Sequence, residues 1–91
     1  MIVSLEEAKQ YLKVDGVEED ALIQNIIHSA HRIVQDLTRL NDADFASASE
    51  TVRIAVLYAI AYLFEHREEG DHKELMLDLR ELLSGVREAR F

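Results

Sequence analysis

The chain has no cysteine, no proline and no tryptophan in 91 residues, and only three glycines. Without cysteine there is no disulfide scaffold, no thiolate metal site and no cysteine nucleophile. Without proline nothing breaks a helix from within. Cations are scarce: ten Lys and Arg stand against eighteen Asp and Glu, a net charge of −8. A duplex-binding module needs Lys and Arg clustered on phosphate, and this balance argues against one. Long apolar runs are also missing. The longest, Ile54 to Phe64 (IAVLYAIAYLF), falls well short of the roughly 20 residues that a bilayer requires and suits a buried core helix. The N-terminus has no cationic start and turns acidic at Glu6 and Glu7, so no signal peptide is expected. The expected address is the cytoplasm, or an assembly built there.

What is present points to helices. A chain of this length makes one domain, residues 1–91, and buries only about 60% or slightly more of its unfolded surface, so association with copies or partners is expected. Ser4-Leu5-Glu6-Glu7 has the form of a capping box, with Leu5, Ala8 and Leu12 on one face behind it. Gly16, free to take a positive φ, is the expected stop of this short first helix. Glu18, Glu19 and Asp20 suit the positive end of a second helix. Its apolar stripe runs Leu22, Ile23, Ile26, Ile27, Ala30, Ile33, Val34 and Leu37, with Arg39 near its end. Residues 41–49 (NDADFASAS) read as a loop, since Asn, Asp and Ser side chains compete for backbone groups. A second S-x-x-E start, Ser47 to Glu50, opens the helix that carries the long apolar run. Gly70 is the expected stop, Asp71 the expected cap of a last helix, and Leu75, Met76, Leu79, Leu82, Leu83 and Val86 its stripe.

The pattern predicts an all-α fold. It is a small bundle of about four helices, with a short first helix, two long central ones, a C-terminal helix and a flexible tail from about residue 84 to 91. Charge is uneven along it. Residues 1–71 hold six basic and fourteen acidic residues, whereas residues 72–91 hold four of each.

No catalytic constellation stands out, and an enzyme is not expected. His28 and His31, three apart on the second helix, share a face and could be two metal ligands, but a site needs further ligands that nothing in the sequence requires. They are expected to be surface residues. His66 and His72 bracket a polar turn without the spacing of a metalloprotease motif. The carboxylate pairs Glu6/Glu7 and Glu68/Glu69 sit side by side, where helical neighbours do not face each other. No metal or cofactor is expected. Tyr58 and Tyr62, four apart on the central helix, suit core or subunit contact. Arg87, Arg90 and Phe91 offer the residue types that dominate interface hot spots.

Four stretches together resemble a known family. They are Ile2 to Gly16 (IVSLEEAKQYLKVDG), Glu19-Asp20-Ala21-Leu22-Ile23 with Ile26, Ile27 and Ala30, the run Ala55 to Glu68, and Leu82-Leu83-Ser84-Gly85-Val86-Arg87. In this order and spacing the chain is similar to the small head–tail connector, or adaptor, proteins of tailed bacteriophages and prophages. Two features depart from that pattern. Gly85-Val86 stands where relatives commonly have Pro-Tyr, and the segment 41–49 lacks their Gly-rich turn and proline.

The resemblance implies a structural virion protein at the head–tail interface, present in the bacterial host cytoplasm before assembly. It implies a ring of about twelve copies beneath the portal, extending the DNA channel and offering a docking surface to stopper and tail proteins. Isolated protein can remain monomeric until it meets the portal. DNA passes through the channel without specific binding. The C-terminal residues Val86, Arg87, Arg90 and Phe91 would reach the portal. The loop residues Asn41, Asp42, Asp44 and Phe45 would face neighbouring subunits or the stopper. A different class of function, an acidic DNA-mimic or regulatory module on a basic protein surface, fits the net charge of −8 and predicts a monomer or dimer.

Overall fold

A computed structural model describes residues 2–46, 50–68 and 72–84. Every element among them is helical: α1 (Leu5–Leu12), α2 (Asp20–Thr38), α3 (Asp42–Ala46), α4 (Glu50–Glu65) and α5 (Lys73–Leu83). The expected all-α bundle is therefore the observed one, with one short helix added. Ser47, Gly70, Asp71 and the tail from Gly85 onward lie outside the described residues.

The Ser4 hydroxyl caps α1 by accepting the Glu7 N–H at 3.2 Å. The Glu7 carboxylate serves another purpose and pairs with Arg53 on α4. Arg53 also reaches Glu50 at 3.3 Å, so one guanidinium ties α1 to the first turn of α4. The expected stop at Gly16 is not the one used. Lys13 takes the left-handed conformation at φ 61°, while no described glycine has a positive φ. The Lys13 N–H bonds Gln10 O at 3.2 Å and the Val14 N–H bonds Lys9 O at 3.0 Å, which is the Schellman closure. Those two bonds satisfy carbonyls at the helix end, and three residues upstream of the glycine the chain has already turned. Arg39 ends α2 in the same left-handed conformation, at φ 59°, but by a single bond from its N–H to Gln35 O at 2.9 Å.

Helices α2 and α4 form the largest interface, α1 packs on both, and α5 packs on α4 and α2. The core comes from one stripe of each long helix: Ile23, Ile27 and Val34 from α2, Val52, Val56 and Ile60 from α4, and Leu75, Leu79 and Leu83 from α5. Fully burying each of these side chains contributes about 1.5–3 kcal/mol. The expected central place of α4 is observed, since it touches α1, α2 and α5. The stripe expected for α5 is only partly inward: Leu82 is exposed.

The segment 41–49 is not simply a loop. Its own side chains build α3: Asn41 Oδ1 accepts the Asp44 N–H at 2.8 Å, and the Phe45 N–H bonds Asn41 O at 2.8 Å. Asn is a good N-cap, and here the side-chain bond starts a short helix instead of opposing one. Gln35 on α2 holds the entry by donating to Leu40 O at 3.2 Å and to Asp42 Oδ1 at 2.8 Å.

Candidate functional site

Two surfaces have the geometry of interaction sites. The first is the α2–α3 corner. Its outer side shows Asn41, Asp42 and Asp44 to solvent, while Phe45 turns inward and is buried. Phe45 packs edge-on against His31, with ring centroids 5.9 Å apart and planes at 77°. The exposed acidic corner is thus anchored to α2 by a buried aromatic.

His31 is not the surface residue expected from sequence. It is buried, and both ring nitrogens are engaged. The Val3 N–H donates to Nε2 at 3.3 Å, and Nδ1 lies 2.8 Å from Ile27 O. A backbone donor on Nε2 leaves the proton on Nδ1, which donates to the Ile27 carbonyl. Burial pushes its pKa below the ordinary imidazole value, against a smaller upward effect of the Ile27 carbonyl, and nearby His28 also lowers it. His31 is consequently a neutral clasp joining the N-terminal segment, α2 and α3. His28 is exposed. Among the described residues no group of three or more His, Asp or Glu side chains is placed to hold a metal ion.

His66 and His72 are likewise not simply solvated. Both are half-buried around Tyr62, His66 stacked at 4.2 Å between centroids and His72 edge-on at 6.0 Å.

The second surface is a groove of about 460 Å³ between α1, α4 and α5, lined by Tyr11, Ile54, Tyr58, Asp78, Glu81 and Leu82. Its apolar side chains are 38–50% exposed, unlike the rest of the apolar run on α4. The Tyr58 hydroxyl donates to Asp78 Oδ2 at 2.7 Å and fixes one wall. That bond to a carboxylate raises the tyrosine pKa, since losing the proton would set two negative charges together. Tyr58 thus lies in an exposed groove and not in the core, beside Tyr11, Ile54 and Leu82, which sequence spacing alone does not bring together.

An acidic, all-helical chain with an apolar groove and an acidic corner has surfaces for partners. The family model for phage gp6-like head-tail connector proteins matches residues 2–81. The chain belongs to that family. This connector-family chain is therefore a phage structural protein, a virion component by kinship, in a family that is structural and not known for enzymes. The match supports the connector role and gives no support to the acidic regulatory module. It ends at residue 81, so the segment holding Val86, Arg87, Arg90 and Phe91 lies beyond it as well as outside the described residues. No curated protein and no solved structure matches the chain. None of the helices among the described residues is long and apolar enough to cross a membrane.

Proposed function

We propose that this connector is a single domain over residues 1–91 that forms a ring of about a dozen copies beneath the portal of a phage or prophage. The ring joins the portal to the stopper and tail proteins and lengthens the DNA channel. The protein waits in the host cytoplasm until assembly. The observation that carries this reading is the family match across residues 2–81. The net charge of −8 supports it, because an acidic lumen repels DNA phosphate and lets the duplex slide past without a grip.

In this reading Val86, Arg87, Arg90 and Phe91 dock on the portal. Two arginines and two apolar side chains within six residues are the composition that hot spots favour. Asn41, Asp42 and Asp44 face a neighbouring subunit or the stopper, with Phe45 as the buried anchor that keeps them in place. No cofactor takes part.

Sedimentation velocity of the chain mixed with the portal ring of the same phage or prophage tests the proposal. Cosedimentation at micromolar concentration is expected. Separate boundaries at every mixing ratio would overturn it.

A further inference from the structure

The groove between α1, α4 and α5 has a feature that its apolar lining alone does not explain. Its rim carries two carboxylates, Asp78 and Glu81, and with Leu82 they form a single stripe along the last turns of α5. Seven residues, Gly85 to Phe91, follow directly on Ser84 at the end of that helix. The last six of these residues, Val86 to Phe91, carry two cations, Arg87 and Arg90, on either side of one carboxylate, Glu88, with Val86 and Phe91 as the apolar ends.

We propose that the groove is the docking site for the chain's own C-terminal segment, Val86 to Phe91, bound in the same molecule. Three observations carry the inference. Charge is complementary, with arginines three residues apart in the segment facing carboxylates three residues apart on α5. Chemistry is complementary too, because an open pocket of Tyr11, Ile54, Tyr58 and Leu82 accepts Val86 and Phe91. Reach is sufficient: seven residues extend up to about 23 Å, while the groove opens within one turn of the helix end. Gly85 joins α5 to that segment, and glycine is the residue that most readily permits a change of chain direction after a helix.

The docking does not depend on the connector reading, but its consequence does. If the same segment binds the portal, the portal must first displace it from the groove, so the free chain keeps its docking residues covered until assembly.

The absence of cysteine makes a direct test simple. Ala89→Cys in the full-length chain gives a unique thiol for a nitroxide label, read by relaxation enhancement at Ile and Leu methyls. The Ile54 and Leu82 methyls should broaden more than any other Ile or Leu methyl. Adding Arg87→Glu and Arg90→Glu should reduce that broadening severalfold while leaving amide shifts away from the groove unchanged. Even broadening across the molecule, or broadening that survives charge reversal, would overturn the proposal. A spin-labelled, isotope-silent chain mixed with an unlabelled-thiol, isotope-labelled chain provides the third arm. Selective broadening seen only in that mixture would assign the groove to a second copy and overturn docking in the same molecule. Portal binding with no selective broadening would leave the connector reading standing and remove only this inference.

Discussion

The backbone N–H of Val3 donates to Nε2 of His31, 28 residues away, at 3.3 Å. Through this bond the N-terminal segment is pinned to α2, and the same ring meets Phe45 of α3. The arrangement requires a neutral imidazole, since a proton on Nε2 would face the Val3 N–H.

Stability should therefore fall in mild acid. His31 has a folded-state pKa below its unfolded value of about 6.5, so the unfolded state binds more protons below that pH. The contribution is fully present above about pH 6.5 and is lost as pH drops through and below it. Urea denaturation from pH 7.5 to 5 should show a declining midpoint that His31→Phe flattens. An unchanged slope in His31→Phe would place the titration elsewhere.

A glycine should improve the end of α1. Lys13 holds φ 61°, a conformation that costs a residue with a Cβ about 1 kcal/mol or more. Lys13→Gly removes that strain and adds back part of it as unfolded-state entropy. The expected gain is about 0.5 kcal/mol, visible as a melting temperature higher by a few degrees. A lower melting temperature would mean that the Lys13 side chain contributes more than its backbone costs.

The long apolar helix sits in the middle, and Ile60 is fully buried there. Ile60→Asp places an unpaired carboxylate in the core at a cost of about 3 kcal/mol or more, against a total stability of roughly 5–15. Loss of helicity by circular dichroism at 37 °C is expected. Leu79→Ala on α5 should be milder, about 2–5 kcal/mol, and its melting temperature should still be measurable.

Much of this architecture was legible in local sequence because local rules produced it. Ser4 with Glu7 marked the start of α1, and the stripe Ile23, Ile27, Ala30, Val34 marked the buried face of α2. His31 carries a positional signal of burial that its polarity masks: it lies one turn beyond Ile27 and three residues before Val34, on the buried face. Helix α3 has five residues, too few to show a period, so its Asn41 cap and Phe45 anchor read as loop chemistry. The stop at Lys13 follows from backbone hydrogen bonds that residue types do not announce. The groove had no local signal at all, because Tyr11, Ile54 and Leu82 meet only through tertiary packing.

The tail is separable from the core in this account. Leu75, Leu79 and Leu83 already close the α5 face before residue 84. Deleting Arg87 to Phe91 should leave the melting temperature within about 4 °C, since surface changes away from the core usually stay within ±0.5 kcal/mol. The same deletion should abolish portal binding. A much earlier melt would show that these residues belong to the core.

The claim that this connector assembles as a ring on a portal is tested most directly by native mass spectrometry, alone and with the portal ring. With the portal, the account predicts a single dominant species that carries about a dozen chains, one closed ring. The free protein should be a monomer or that same ring. A tight dimer at every concentration, indifferent to the portal, would contradict it.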